Sequence, residues 1–256
     1  MNKNPSADLI SERIIPNETE KGIVSIHMKR YVFAEPFCRG QEVLDVACGM
    51  GYGTAHLAAF AKKAVGVDLS QEAIVYAREH YQNTNTAFET MDASRLTFPN
   101  NTFDVVCSFE TIEHLNDVEG YLCGIERVLK PEGIFLVSTP CVARTTNKPE
   151  NSFHVQEWSS VDFQALLERY FSTVKLFGQR RKQTSLHRWL QKVDFLNLRR
   201  KIYPSKFGKA LSTATGTTPF AELELDDIEI SENDFHGALC ILGVCSIPIR
   251  VSGTKL

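Results

Sequence analysis

The stretch VLDVACGMGYGT, Val43–Thr54, decides the fold of this chain. A short apolar run leads into three glycines separated by single residues, and the helical pattern GTAHLAAFA follows over 53–61. In doubly wound α/β sheets, a glycine turn between a strand and a helix lies at the edge where ligands bind. The stretch therefore predicts a buried strand, a tight turn and a helix, with a ligand site at the turn.

The glycine spacing fits neither common phosphate-binding motif. The dinucleotide pattern G-x-G-x-x-G would need glycine where Thr54 stands, and a P-loop would need a lysine that the turn lacks. The carboxylate of Asp45 would repel a pyrophosphate but suits an amine or another cation. Asp68 ends the next strand, in VGVDLS, where an acid in this fold accepts ribose hydroxyls. S-adenosylmethionine offers a ribose, an ammonium and a sulfonium without a pyrophosphate, so we expect it as the ligand.

Short apolar runs alternate with helical patterns over most of the chain. The segment SQEAIVYAREHY, for example, begins with a serine N-cap and has apolar residues at helical spacing. Strands separated by helices predict an α/β fold, a Rossmann-like, doubly wound sheet of seven strands whose last strand is antiparallel. The predicted strands are 42–47, 64–68, 86–90, 103–110, 133–140, 172–178 and 238–246, and the predicted helices are 18–37, 53–61, 70–81, 117–130 and 159–171.

The composition is that of a globular protein. The 256 residues are 43% hydrophobic and 23% charged, and the net charge of −3 gives no general attraction to nucleic acid or acidic lipid. The seven cysteines are odd in number and form no CxxC pair, which favours buried thiols in a reducing cytoplasm. We see no signal peptide, and the longest apolar run, 238–245, is too short to span a membrane.

Two segments of opposite charge interrupt the pattern before the last strand. Residues 179–209 contain ten Lys or Arg and one acid, and 222–234 contain seven acids and no base. The two segments could simply face each other in solvent, or the basic one could be a lid over an anionic or phosphorylated acceptor. We therefore predict three regions: an N-terminal helical cap over 1–39, a core over 40–178 and 236–256, and an insertion over 179–235 that is a candidate substrate lid.

The motifs together resemble those of the class I S-adenosylmethionine-dependent methyltransferases, of the type 11 or ubiquinone O-methyltransferase kind. VLDVACGMGYGT matches the first motif of that family and VGVDLS the second, and MDASRLTFPNNTFDVVCSFETIEHL and RVLKPEGIFLVSTP match later ones. The match spans 40–178 and a final strand near 238–247. The resemblance implies that the N-terminal segment with His27, Arg30 and Tyr31 caps the cofactor. It implies cofactor contacts at Asp45, Ala47, Gly49, Gly51, Asp68, Leu69, Asp92, Ala93 and Phe109.

The stretch FETIEHL, 109–115, carries the second group of candidate residues. Glu110, Glu113 and His114 share one side of a helical turn at the end of the fourth strand, and His154 precedes QEWS further on. The E-x-x-E-H pattern followed by such a histidine resembles metal-dependent branches of the family. That resemblance implies Glu110, Glu113, His114 and His154 as ligands of a divalent ion, with Mg²⁺ or Mn²⁺ as the candidates.

The chemistry of these residues favours oxygen methylation. A metal chelated by two neighbouring hydroxyls would lower their pKa; without a metal, His114 or His154 could accept the proton, with Glu110 assisting. We expect a diol-bearing small molecule, such as a sugar, a sugar nucleotide or a glycan precursor, as acceptor. Nitrogen or carbon methylation of a small metabolite or quinone precursor, and a non-catalytic methyltransferase-like binding protein, remain alternatives. Nothing in the sequence favours a nucleic acid as partner or fixes the oligomeric state.

Overall fold

Within the residues that the structure describes, the sheet contains eight strands. The structure, a computed structural model, describes residues 14–182 and 219–248. The strands are β1 Glu42–Val46, β2 Lys63–Asp68, β3 Thr86–Thr90, β4 Phe103–Phe109, β5 Leu129–Pro140, β6 Phe171–Arg181, β7 Ile228–Glu232 and β8 Cys240–Pro248.

Five α-helices flank this sheet within the described ranges. Several begin at a side chain that accepts a hydrogen bond from the first turn, as predicted for Ser70, which accepts from the backbone N–H of Ala73. No helix in these ranges is long and apolar enough to cross a membrane. The helices are α1 Lys21–Cys38, α2 Tyr52–Ala58, α3 Gln71–Tyr81, α4 Val118–Val128 and α5 Ser160–Leu167.

The strands lie in the order β3-β2-β1-β4-β5-β8-β6-β7. β1 pairs in parallel with both β2 and β4, and β8 runs antiparallel between β5 and β6. The α/β, doubly wound fold with an antiparallel last strand is thereby confirmed. The direction of winding reverses between β1 and β4, and the carboxyl ends of the strands at such a switch point form a ligand crevice.

Apolar packing covers both faces of the sheet. On one face, Tyr121, Ile125 and Phe163 of α4 and α5 are fully buried in the largest cluster. On the other, Tyr31 and Ala34 of α1 pack with residues of α2, β1 and β4. Helix α1 is therefore part of the core, and its side chains reach the ends of the central strands.

One contact ties α1 directly to the glycine turn. A Cβ atom on Gly53 would overlap the Tyr31 ring, so only glycine leaves room for this ring. Gly51 precedes α2 with φ of 85°, a left-handed conformation that glycine adopts without strain. The first motif is thus shaped partly by the helix that packs over it.

The region predicted as an insertion contributes to the sheet. β6 continues through Arg180 and Arg181 beyond the predicted end at 178, and β7, which the sequence analysis placed in the insertion, pairs antiparallel with it. Arg180 binds Glu229 of β7 at 2.7 Å and also Asp234, so here the basic and acidic segments do face each other. The rest of the predicted lid, 183–218, lies outside the described residues.

Candidate functional site

A cavity of about 460 Å³ opens at the carboxyl ends of β1, β2 and β4. Seven predicted site residues line it, and five neighbouring residues that the sequence analysis did not assign to the site line it as well. The predicted ones are Ala47, Asp68, Leu69, Asp92, Ala93, Glu110 and His114; the others are Ser70, Gln71, Glu72, Thr111 and Leu115. Each of the latter lies within four residues of a predicted one, so adjacency along the chain was the available signal.

Asp68 is held by backbone donors on two sides. One carboxylate oxygen accepts from Gly49 N and the other from Ser70 N, both at 2.9 Å. A carboxylate has about four acceptor positions, so these bonds fix its orientation without exhausting it. The next side chain, Leu69, is 72% exposed at the cavity wall, which offers an apolar surface beside the carboxylate.

Asp92 is fixed in a similar local way. Its carboxylate accepts from the backbone N–H of Ser94 at 2.8 Å, and Ala93 beside it adds a small side chain to the cavity wall. Two oriented acids and one exposed apolar side chain therefore line the same space.

Asp45 lies behind the glycine turn and is not among the cavity-lining residues. Its carboxylate accepts a 2.6 Å hydrogen bond from Thr54 and a longer one, 3.4 Å, from the Tyr31 hydroxyl. Burial raises the pKa of Asp45 to about 7, although both hydrogen bonds act in the opposite direction. The nearby Phe109, also absent from the cavity lining, packs edge-on against the Tyr31 ring at 5.1 Å. The contact predicted between Asp45 and the methionine part of the cofactor stays a prediction.

Glu110 projects from the end of β4 in a left-handed conformation, with φ of 53°. Such a conformation is unfavourable for a residue with a Cβ and persists where other contacts fix it. The Ser138 hydroxyl donates to Glu110 Oε1 at 2.7 Å, and Ser138 also accepts from the Glu110 backbone N–H. The Arg30 guanidinium lies 3.4 Å from Oε2. The predicted helical turn is a 3₁₀ turn over Ile112–His114 that excludes Glu110.

His114 has a defined tautomer at the cavity wall. Its Nδ1 lies 3.1 Å from the carbonyl oxygen of Phe153. Because a carbonyl can only accept, Nδ1 carries the hydrogen and the neutral ring has its lone pair on Nε2. This lone pair is the proton acceptor that His114 can offer.

His154 lies beside His114, with ring centroids 4.8 Å apart, but both of its nitrogens are engaged. Nδ1 lies 2.6 Å from Glu157 Oε1, and Nε2 lies 2.9 Å from the Asn151 amide nitrogen. Asn151 Oδ1 accepts from Phe153 N, which fixes the amide so that its NH₂ group faces His154. His154 therefore closes a network that holds the Phe153 carbonyl near His114.

Glu113 points into the protein. Its side chain is fully buried, and within the described ranges neither carboxylate oxygen has a hydrogen-bond partner of normal geometry. Burial, followed by the charge of Glu110, holds the pKa of Glu113 well above its usual range. Its backbone carbonyl accepts from Val155 N at 2.7 Å and so docks the segment that contains His154.

The four predicted metal ligands do not form one open ligand set. Donor atoms of Glu113, His114 and His154 lie within 4.8 Å of one another, but Glu110 is not in that group. Glu110 is paired with Arg30, and a metal at His154 would have to displace Glu157 or Asn151. As one set, the four predicted ligands therefore fit a divalent ion poorly.

Sequence reasoning did not identify the residues that orient Glu110 and His114. Ser138 and Asn151 have no motif of their own, and the Phe153 contribution is a backbone carbonyl. Arg30 was placed in the cap, but its pairing with Glu110 was not predicted. No sequence signal was available for these long-range contacts.

The sheet order, with β8 antiparallel between β5 and β6, and the acid-lined cavity at the switch point define a class I methyltransferase architecture. A family model described as a methyltransferase domain, type 11, matches residues 44–137. A Mycolicibacterium smegmatis protein named "Probable S-adenosylmethionine-dependent methyltransferase" is 33% identical over 172 residues, 65% of this chain and 66% of that protein. The core of the chain thus carries a methyltransferase domain, as the motifs predicted, and its similarity is to the class I S-adenosylmethionine-dependent methyltransferases.

Two further similarities come from other proteins. A phosphoethanolamine N-methyltransferase of Triticum aestivum is 39% identical over 117 residues, which cover 44% of this chain and 23% of that protein. A solved Thermotoga maritima S-adenosylmethionine-dependent methyltransferase superposes with a TM-score of 0.61 over 90% of this chain and 95% of its own, at 16% identity. The latter similarity concerns the fold alone. The matches thus span just under two thirds of the Mycolicibacterium protein and about a quarter of the wheat enzyme.

Proposed function

We propose that this chain transfers the methyl group of S-adenosylmethionine to a hydroxyl oxygen of a small molecule with neighbouring hydroxyls, such as a sugar or glycan precursor. The observation that carries this proposal is His114. It lines the same cavity as Asp68 and Asp92, and its hydrogen bond to Phe153 leaves Nε2 as a base. A hydroxyl is a weak nucleophile until its proton is removed, so a base in this place suits an alcohol.

The cofactor assignment rests on the first three strand ends. Asp68 would accept the ribose hydroxyls, the exposed Leu69 would lie against adenine, and Asp92 with Ala93 would meet the adenine amine. Ala47 and the turn at Gly49 and Gly51 let the methionine part approach the backbone closely. Asp45 acts from behind the turn, through Thr54. Phe109 keeps its predicted place near the sulfonium as part of the proposal.

The transfer itself is an in-line displacement at the methyl carbon. The acceptor oxygen forms a bond to the methyl carbon as the carbon–sulfur bond breaks, and S-adenosylhomocysteine leaves as a neutral thioether. The hydroxyl proton goes to His114 Nε2. Glu110, held by Ser138 and Arg30, accepts a hydrogen bond from a second hydroxyl and so favours acceptors with two adjacent hydroxyls. The chain's part is to position and desolvate the reacting groups and to take this proton.

A divalent ion would lower the pKa of two chelated hydroxyls where it was bound. The engaged nitrogens of His154 and the ion pair of Glu110 argue against such a role in this chain. We therefore assign proton removal to His114 and give His154 a positioning role.

The charge of the cavity favours an acceptor without phosphate. Its charged lining residues are acids, and no Lys or Arg lines it among the residues that the structure describes. Arg180, from the predicted lid, is engaged by Glu229 and Asp234. A neutral polyol fits this surface better than the anionic acceptor that the lid suggested. The acids in question are Asp68, Glu72, Asp92 and Glu110.

Nitrogen methylation is the second candidate. The similarity to phosphoethanolamine N-methyltransferases favours it, and an acidic wall suits an ammonium group. An amine that arrives protonated must also lose a proton before it attacks, and His114 could accept that proton.

Methyl-labelled S-adenosylmethionine offered with pooled sugars, sugar nucleotides, catechols and small amines would test this proposal. We expect label in a polyol, as a methyl ether located by mass spectrometry. Label in an amine would favour the second candidate. Cofactor binding by calorimetry without transfer to any pool would favour a non-catalytic binding protein, and absence of cofactor binding would refute the whole assignment.

A further inference from the structure

Arg30 of helix α1 is a buried charge directly behind the cavity. Its side chain is 2% exposed, and its guanidinium has partners on every side. Nε donates to Gln179 Oε1 at 3.0 Å and approaches Cys240 Sγ, Nη1 donates to His27 Nδ1 at 3.1 Å, and Nη2 faces Glu110. A buried arginine is stable only where such partners replace its hydration.

Among these described partners, Glu110 is the only carboxylate. Gln179 is a neutral amide, and burial raises the pKa of the Cys240 thiol to about 12, so that it stays uncharged. Burial, together with the charge of Arg30, lowers the pKa of His27 well below its usual value, so its ring is neutral. The charge of Arg30 is therefore balanced by Glu110, a residue of the cavity wall.

Glu110 also needs a counter-charge and a fixed orientation. It lies in a left-handed conformation, and the fully buried Glu113 follows three residues later. Two carboxylates so close in sequence would be satisfied by a divalent ion in a metal-dependent enzyme. Here Ser138 and Arg30 bind the two oxygens of Glu110 instead.

We propose that Arg30 is the built-in cation of this site: it positions the Glu110 carboxylate and supplies the counter-charge that a divalent metal ion would otherwise supply. Arg30 is thus a positioning residue for the acceptor side. This inference rests on the proposed function only in that Glu110 faces the acceptor. Its central claim concerns charge, and it can be tested without knowing the acceptor.

Mn²⁺ binding, followed by electron paramagnetic resonance, tests this claim in the full chain. We expect Arg30→Met to bind Mn²⁺ at least roughly tenfold more tightly than the wild type, because it exposes an uncompensated carboxylate. Glu110→Gln in the same chain should abolish the gain, and Arg30→Lys should behave like the wild type. Arg39→Met, which removes an exposed arginine just beyond α1, is the matched control.

Folding of each variant is checked by circular dichroism and thermal unfolding. If Arg30→Met alone does not fold, adding Glu110→Gln should restore folding, since the second change removes the unpaired charge. If the double variant is as unstable as Arg30→Met, the stabilising role of Arg30 lies in its contacts with Gln179 and Cys240 and not in its pair with Glu110. That result would overturn the proposal.

Two further outcomes would overturn it. One is a wild type that binds one equivalent of Mn²⁺ as tightly as Arg30→Met does. The other is a folded Arg30→Met protein without any gain in Mn²⁺ affinity. Failure of the proposed function would appear separately, as absent cofactor binding or absent methyl transfer, and would leave the Mn²⁺ result interpretable.

Discussion

The two halves of the cavity wall are built in different ways. In the cofactor half, Asp68 and Asp92 each accept a hydrogen bond from a backbone N–H two residues further along the chain, and Asp68 accepts another from Gly49 of the glycine turn. In the acceptor half, Glu110 and His114 are oriented by groups 28 and 39 residues away, and by Arg30 of α1. Backbone donors of the motif turns orient the acids of the first half, whereas the second half depends on how the side chains and carbonyls of distant segments dock.

This difference has a practical meaning for the site. A change at Arg30 or in the segment 151–157 should disturb Glu110 and His114 while leaving Asp68 in place. Cofactor binding and methyl transfer are therefore expected to respond separately to substitution.

The largest expected effect is a loss of turnover on substitution of His114, which tests whether methyl transfer and cofactor binding respond separately. His114→Ala removes the proposed base and should lower turnover by roughly 10²–10⁴-fold, the usual contribution of a general base. The affinity for S-adenosylhomocysteine, measured by calorimetry, should stay within about twofold, because binding energy lies in the other half. His80→Ala, an exposed histidine on α3, is the control. Equal losses of turnover and cofactor affinity would contradict the separation between the two halves of the cavity wall.

Asp45, behind the glycine turn, provides a second test, because its protonation should make the free energy of unfolding depend on pH. Since its pKa is raised from 3.8 to about 7, the ligand-free folded state holds the proton more tightly than the unfolded state. This tighter proton binding adds to the free energy of unfolding by on the order of 4 kcal/mol at most. The added stability is fully present below about pH 4 and is lost as pH rises through about 7. Urea unfolding of wild type and Asp45→Asn at both ends of this range measures it.

In the Asn variant the decline in stability over that range should be smaller. Other groups also titrate there, so the difference between the two proteins is the quantity of interest. Parallel curves for the two proteins would mean that Asp45 is charged in the folded state and that Thr54 and Tyr31 outweigh its burial.

Asp68→Ala should have a moderate effect confined to the cofactor half. Loss of charge-assisted hydrogen bonds worth about 1.5–3 kcal/mol each should weaken S-adenosylmethionine by at least roughly tenfold. Calorimetry measures this, with the exposed acid Glu89 changed to Ala as the matched control. NAD should not bind to the wild type, because the turn lacks a dinucleotide motif. Unchanged affinity for S-adenosylmethionine in Asp68→Ala would remove the ribose assignment.

The smallest expected effect is that of chelation. With Arg30 as counter-ion and His154 fully engaged, turnover in EDTA should stay within about twofold of turnover in added Mg²⁺ or Mn²⁺. The acceptor found in the labelled screen provides the assay. Loss of turnover in EDTA with recovery in Mn²⁺ would restore the metal-dependent interpretation of the E-x-x-E-H turn.

The sequence allowed most of the sheet and the cofactor half to be predicted, because both depend on local patterns. Buried strands, glycine turns and acids at strand ends are readable within a few residues, as at Val43–Asp45 and Asp68. β7 was missed because its acids were taken for a solvated segment, although Ile228 and Ile230 alternate with Glu229 and Ser231 as in a strand.

The acceptor half shows what could not be predicted. FETIEHL was expected to place Glu110, Glu113 and His114 on one helical turn, but Glu110 adopts a left-handed conformation and Glu113 turns inward. Neither result follows from local propensity, since each depends on Arg30, Ser138 or the segment after Asn151. Contacts between distant segments leave no periodic trace in a single sequence.

The close contact between Tyr31 and Gly53 also has an evolutionary consequence. Because any side chain at 53 would occupy the space of the Tyr31 ring, position 53 cannot become larger unless position 31 becomes smaller. In an alignment of relatives with this cap helix, we expect the two positions to covary. Larger residues at the position of the third glycine, 53, would then appear only with a small residue at 31 on the helix, which would mark the cap and the cofactor motif as one inherited unit.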